Sequence, residues 1–459
     1  MPHQVEILDI TKDFKNVAYG LGMGLGKTFI GSEKLMDYRK SINLVIVQKS
    51  KIDDWVEHFK KYYSEFPYFT EAYDLTKKEQ YEKFLKRCKD VTEPNEIYDE
   101  WTEQYYEFDS TDPTQLVGVI NYDVVWRRSE LKQLTDFVLM LDESSMIQHY
   151  ESKRTKFIMS LRPSNVILLS GTFTNGKLEN LYTQAYLTGY KISKLLFEQT
   201  YTIKRKREIR TPQGIKRFNE IVGYKNQDML FKKLNELGWI FRKTSDVITL
   251  PDTNTFILKD KCSNDLKKYR KHKYIVIDDK ELIGDTATNR FLHQRQLCGI
   301  YSKEKQQRVE DIINSTDERI IIFYNFIDEL KLLEKICKKC DRPISYMNGS
   351  KKDLSNYENC DNSITLIQYQ SGAYGLNLQK CNQTIYFTPP LSCEMFEQSK
   401  ARTNRLGQTR KCFYYQLVIE GSIEEHIYQV LEQRQDFTLK LFEQKETIYG
   451  RWKNIWRKG

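Results

Sequence analysis

A chain of 459 residues exceeds one ordinary core of ~150 residues, so two or three domains are expected, with two lobes the simplest division. Hydrophobic residues make up 40% and charged residues 29%, and no apolar run approaches the ~18 residues of a membrane-spanning helix, so a soluble chain is expected. Lys and Arg total 72 against 63 Asp and Glu; the net charge of +9 suits a polyanionic partner without demanding one.

Nine scattered cysteines form no disulfide framework, and Cys337-x-x-Cys340 lacks a second close pair that would complete a zinc site. The start, Met-Pro-His-Gln, runs straight into mixed polar sequence and reads as no signal peptide, so a cytoplasmic protein is expected, in the host cytoplasm if viral. Richness in Lys, Ile, Asn and Tyr suggests an AT-rich bacterial or phage genome.

In chain order, residues 5–19 carry apolar positions compatible with a short helix. Gly20 to Thr28 then reads G-L-G-M-G-L-G-K-T. Glycine lets backbone N–H groups turn inward around phosphate oxygens, Lys27 would reach the β/γ-phosphates, and Thr28 would offer a hydroxyl to Mg²⁺. The spacing predicts a helix from Thr28 to Tyr38, a buried strand at Leu44–Val47, and a helix over Ser50–Tyr63 with Ile52, Trp55, Val56 and Phe59 on one stripe. Residues 64–113, rich in Tyr, Glu, Asp and Lys and punctuated by Pro67, Pro94 and Pro113, read as an insertion with a helix over Lys77–Lys89.

Strand signals resume at 117–120, 137–141 and 166–169, each followed by polar residues. In open α/β sheets ligands bind at the C-terminal strand ends, so Asn121-Tyr122, Asp142-Glu143 and Ser170-Gly171-Thr172 should converge beside the glycine loop. There Asp142 would hold Mg²⁺ and Glu143 would align and deprotonate an attacking water. Residues 190–245 read as a second insertion. Its cluster Lys204-Arg205-Lys206-Arg207, followed by Thr211-Pro212-Gln213-Gly214, suggests a basic β-hairpin able to contact nucleic acid, or else a solvated face. A second basic cluster spans 267–273. Strands at 319–324, 364–367, 384–387 and 413–418 announce a second α/β lobe, with Arg402 and Arg405 between the last two in E-Q-S-K-A-R-T-N-R-L-G-Q, three apart as on one face of a helix.

Together these pieces resemble the superfamily-two helicases and translocases, specifically the Swi/Snf-like DNA-dependent ATPases, over nearly the whole chain. The resemblance rests on Pro2-His3-Gln4, M-G-L-G-K-T at 23–28, Trp55, Asp142-Glu143, S-G-T at 170–172, S-G-A-Y-G-L-N-L at 371–378 and R-T-N-R-L-G-Q at 402–408, in the family's order. It implies two RecA-like lobes with parallel sheets and helical or hairpin insertions, divided at 1–245 and 246–459.

By the same resemblance the cofactors are ATP and Mg²⁺. Gln4 would read the adenine, Gly24, Gly26, Lys27 and Thr28 would hold phosphates, and Thr28 and Asp142 the metal. Asp142 and Glu143 would run hydrolysis, and Ser170 and Thr172 would couple it to DNA. Gly375, Gln398 and the arginine fingers Arg402 and Arg405 would come from the second lobe. The partner implied is DNA, duplex favoured and single strand as the alternative, with movement along it as the product. A strand-separating helicase and a nucleotide-switched nucleic-acid scaffold are the competing readings.

The chain departs from the family pattern at Gln48 and Phe173, where proline is usual, at Gln370, where arginine is usual, and at Leu21-Gly22, where Asp-Glu usually stands. It also has Ser145 in place of a histidine that often links the nucleotide site to the DNA-coupling motif. Arg451-Trp452-Lys453 and Trp456-Arg457 would cap the second lobe or bind DNA or a partner by stacking and charge.

Overall fold

The computed structural model describes residues 1–65, 69–90, 95–99, 104–108, 114–174, 176–211, 214–372 and 377–443. The chain divides after Val247 into two compact units, the second being Ile248–Phe437. No helix among the described residues is long and apolar enough to cross a membrane.

The first unit is built on seven strands in the order Trp239–Arg242, Asn16–Leu21, Asn165–Ser170, Phe137–Asp142, Ile42–Val47, Gln115–Asn121 and Thr70–Asp74, every neighbouring pair parallel. Helices cover a parallel sheet on both faces, so its inner strands must be apolar at every position rather than at alternate ones. Ile42–Val47 is buried throughout and Phe137–Asp142 is buried as far as Leu141, which explains why these runs announce themselves in the sequence. Register places Gly20 beside Ser170, Leu169 beside Asp142, and Val47 beside Asn121, so all these strands finish at one edge.

Three expectations need correction. Residues 5–19 are not one helix: Pro2–Ile10 is helical, and Asn16–Leu21 is an inner strand whose Asn, Ala and Gly blur its pattern. The stretch 64–113 is not wholly an insertion, because Thr70–Asp74 closes one edge of the sheet and Lys78–Asp90 packs as a helix behind it; an edge strand tolerates the polar sequence T-E-A-Y-D. Likewise Trp239–Arg242, at the end of the second supposed insertion, is the opposite edge strand. The expected basic hairpin is present as a long antiparallel ribbon, Thr202–Thr211 with Gly214–Tyr224.

The second unit has a seven-stranded sheet in the order Thr253–Asp260, Cys412–Ile419, Gln383–Tyr386, Ile320–Tyr324, Ile364–Gln368, Ile344–Met347 and Lys352–Asp353, parallel except for the last pair. Each unit is therefore a RecA-like α/β lobe. The four expected strands form its centre, while Thr253–Asp260 and the 344–353 pair were not anticipated from their mixed polarity. The 267–273 basic cluster runs through the C-terminal part of the Asn264–His272 helix and into Lys273. A buried ion pair joins its layers: Lys305 Nζ lies 2.7 Å from Glu424 Oε1 and donates to Phe387 O at 2.8 Å. The expected roles of Trp452 and Trp456 fall outside the described residues.

Candidate nucleotide and coupling site

The first unit gathers its chemistry where the strand ends meet the glycine loop. The Asn16–Leu21 strand leads through residues 22–26 into the Lys27–Asp37 helix, whose N-cap is Gly26 with φ +74°. Gly24 is also left-handed, at φ +82°, a conformation costly for side-chain-bearing residues. A Cβ on Gly22 would lie 2.4 Å from Thr244 Oγ1 and 2.6 Å from its backbone nitrogen.

That close approach is how the loop is held. Gly22 N–H donates to Arg242 O at 2.8 Å, and Thr244 Oγ1 donates to Met23 O at 2.8 Å. Sequence reasoning missed Thr244; its relation to the loop exists through the parallel pairing of Leu21 with Arg242, more than two hundred residues away in the chain.

Lys27 Nζ donates to Leu21 O at 3.1 Å, and its charge is felt at Asp142, so it stands inside the loop rather than in solvent. Thr28 is exposed on the helix's first turn. Gln4 is brought to the same loop: a Cβ on Gly26 would sit 2.0 Å from Gln4 Nε2, and neighbouring His3 Nε2 lies 3.1 Å from Leu25 O.

On the facing strand end, Trp55 Nε1–H donates to Asp142 Oδ2 at 2.9 Å. Burial and the adjacent Glu143 carboxylate push the Asp142 carboxyl up to about 6, with the Trp55 bond, Lys27 and Lys51 pulling the other way. Glu143 adopts a left-handed backbone at φ +52°, and Tyr122 OH donates to Asp142 O at 2.8 Å, fixing that turn. Ser170 Oγ lies 3.5 Å from Glu143 Oε2 and 2.8 Å from Thr172 O, while Thr172 N–H donates back to Ser170 Oγ at 3.1 Å. Thr172 Oγ1 is buried without a hydrogen-bond partner. The structure thus brings Gln4, Gly24, Gly26, Lys27, Asp142, Glu143, Ser170 and Thr172 to one edge.

A buried amide ties the Asp-Glu turn to the Ser-Gly-Thr turn. Ser144 Oγ donates to Gln184 Oε1 at 2.8 Å, and Gln184 Nε2 donates to Phe173 O at 2.9 Å, an oxygen that also accepts from Gln148 Nε2 at 3.1 Å. Ser145, standing where a histidine was expected to make such a link, is buried alongside. Gln184 carries no sequence motif, and a lone glutamine on a short helix offers no signal.

The loop fits a bound nucleotide and its divalent cation: two left-handed glycines, open space over Gly24, an inward lysine and a buried carboxylate form one donor and acceptor set.

In the second unit Gln398 lies on the Cys393–Lys400 helix and donates to Glu394 Oε1 at 3.2 Å. Arg402 and Arg405 do not share a helix face, contrary to expectation, because that helix ends at Lys400 and the chain turns through 401–406. Arg402 is buried, and burial lowers the Arg405 guanidinium below its usual value. Leu378 N–H donates to Arg402 O at 3.1 Å, so the 371–378 and 402–408 strings meet. Gln408 pins the turn, its Nε2 donating to Cys381 O at 3.0 Å and Thr403 O at 3.2 Å. Gly375 lies outside the described residues.

Two family descriptions match the chain: SNF2-related domain over residues 21–341 and Helicase conserved C-terminal domain over residues 304–407. Among curated proteins, the DNA repair protein rhp54 of Schizosaccharomyces pombe is 28% identical over 151 residues, covering 31% of this chain and 18% of that protein. The uncharacterized ATP-dependent helicase YqhH of Bacillus subtilis is 22% identical over 480 residues, covering 95% of this chain and 78% of that protein. A solved SWI2/SNF2 ATPase core from Sulfolobus solfataricus, in complex with dsDNA, aligns over 95% of this chain and 92% of its own at 19% identity, with a TM-score of 0.41. The chain spans between 18% and 25% of the length of the first curated relatives it matches.

Proposed function

The chain belongs to the SNF2-related family, and on that premise we propose that it is a DNA-dependent ATPase that moves along duplex DNA. The observation that carries the reading is the convergence of Lys27, Asp142, Glu143 and Ser170 at one sheet edge. ATP would lie with its phosphates in the 22–26 loop and its adenine toward Gln4, and the Mg²⁺ held by Thr28 and Asp142 would neutralise phosphate charge.

Lys27 supplies fixed positive charge at the phosphates, and Trp55 orients Asp142 through its indole N–H. Glu143, on its strained turn, orients the attacking water and takes its proton. Ser170 and Thr172 couple the Glu143 carboxylate to DNA engagement. Gln398 would serve the nucleotide, and Arg402 and Arg405 would stabilise the charge that develops on the transferred phosphoryl group. The protein acts in the cytoplasm of a bacterium, or of a host cell if it is phage-encoded.

The test is steady-state ATP hydrolysis with no nucleic acid, single-stranded DNA, duplex DNA and RNA, beside Lys27→Ala and Arg405→Ala. The reading expects strong duplex stimulation that both substitutions abolish, together with displacement of a triplex strand. Stimulation by single strands alone would favour strand separation instead, a second reading motivated by the protruding basic ribbon. Absence of hydrolysis under every condition would leave a nucleotide-switched scaffold.

A further inference from the structure

The ribbon Thr202–Thr211 and Gly214–Tyr224 concentrates charge that the motor reading does not use. Residues 202–224 hold seven Lys or Arg and two Glu, a net +5 of the chain's +9. Its two strands pair from Thr202↔Tyr224 out to Thr211↔Gly214, and ten residues at ~3.4 Å each give a projection roughly 30 Å long. Side chains alternate, so Lys204, Lys206, Arg217 and Asn219 share one face, and Arg205, Arg207, Lys216 and Phe218 share the other.

The cations are not equivalent. Lys204 lies 2.5 Å from Glu198, Arg207 2.5 Å from Glu220, and Arg217 2.6 Å from Glu208, so three are already neutralised. Glu220, which register places opposite Arg205, is engaged by Arg207 instead. Arg205, Lys206 and Lys216 make no ion pair among the described residues, and all three are exposed. Between them Phe218 is 41% exposed and, near the tip, Ile215 is 58% exposed. Free cations on both faces of a ribbon, interleaved with exposed apolar groups, suit an element flanked by phosphate on two sides. A two-stranded ribbon is admitted by the ~12 Å major groove of duplex DNA.

We propose that this ribbon is a duplex-DNA contact in which Arg205, Lys206 and Lys216, rather than the whole basic cluster 204–207, neutralise backbone phosphates, with Phe218 packing against the groove wall. The proposal rests on the DNA-dependent reading above but is separable from it. Each phosphate contact contributes about 0.9 to the slope of log affinity against log salt. Losing three would lower that slope by about 2.7, which over a fourfold salt range, 50 to 200 mM, is a roughly 40-fold smaller change in affinity.

The experiment measures binding of the full chain to a fluorescent 30-base-pair duplex, a forked duplex and a single strand from 50 to 200 mM salt. It compares wild type, R205Q/K206Q/K216Q and K204Q/R217Q, with ATP hydrolysis followed in parallel. The expected result is weakened duplex binding and a flattened salt slope in the triple variant, DNA-free hydrolysis unchanged, and a smaller effect in K204Q/R217Q. If wild type binds duplex and is stimulated by it while the triple variant has the same affinity and slope, the ribbon proposal is overturned and the motor reading stands. Equal loss in both variants would overturn the assignment to the three free cations. A defect confined to forked substrate would replace the groove contact with a strand-separating role. Failure of wild type to bind DNA would remove both readings.

Discussion

Replacing Gln184 by leucine tests whether the Asp-Glu and Ser-Gly-Thr turns act as one unit. The side chain joins Ser144 Oγ at 2.8 Å to Phe173 O at 2.9 Å; Ser144 and Gln184 are wholly buried and Phe173 is 2% exposed. Leucine is of similar volume, so little cavity results. Phe173 O keeps its bond from Gln148, but the Ser144 hydroxyl is stranded without its acceptor, at a cost of about 1–3 kcal/mol. Ser144→Ala strands the Gln184 amide oxygen in the same way, while its Nε2 keeps Phe173 O and Asn180 O. In the double variant neither group remains to be stranded, so its destabilisation should fall short of the sum of the singles by about 1 kcal/mol or more.

Urea unfolding of the four proteins measures this directly. The same proteins assayed for ATP hydrolysis should lose duplex stimulation by a larger factor than DNA-free turnover, since the bridge links the turn carrying Glu143 to the one carrying Thr172. Additive stabilities within about 0.5 kcal/mol, or equal losses with and without DNA, would refute the linkage argument.

Three further outcomes are expected. Gly26→Ala puts a side chain on a left-handed residue, at about 1–2 kcal/mol, and drives its Cβ into Gln4; it should erode discrimination of ATP from GTP, whereas Gly24→Ala, facing open space, should weaken nucleotide affinity without that loss. Lys305→Met abandons the buried Glu424 carboxylate and should cost about 3–5 kcal/mol, read by denaturant titration, and Lys305→Met/Glu424→Leu should recover most of it. Glu329 is buried, accepts N–H bonds from Asn325 and Phe326, and is pushed up by burial to about 7. A raised carboxyl favours the folded state fully below its unfolded value and loses that contribution as pH rises through about 7. Wild type should therefore lose up to about 3 kcal/mol between pH 5 and 8 that Glu329→Gln does not, and parallel melting curves against pH for the two proteins would contradict this.

The inner strands other than Asn16–Leu21, and the glycine loop, are legible in the sequence because their causes are local. A strand buried on both faces must be an unbroken apolar run, as in Leu44–Val47 and Phe137–Leu141, and a phosphate turn must alternate glycine before Lys27. The same locality places Asp142, Glu143 and Ser170 at strand ends, and parallel register then sets them side by side.

Edges and supports are not legible, because nothing near them in the chain explains them. Thr70–Asp74 and Trp239–Arg242 need only one strand neighbour and can be polar or short. Thr244 props the loop and Gln184 joins two motifs through bonds spanning 221 and 40 residues, which no periodicity encodes. The basic run 204–207 was visible as charge, yet which cations are free depends on Glu198, Glu208 and Glu220 lying beside particular partners. The sequence by itself determined the two α/β lobes and the order along the chain of the motifs that meet at the first sheet's edge. Tertiary structure alone decided what holds those groups in place, since a buried hydrogen bond or ion pair is set by where the chain returns rather than by its neighbours.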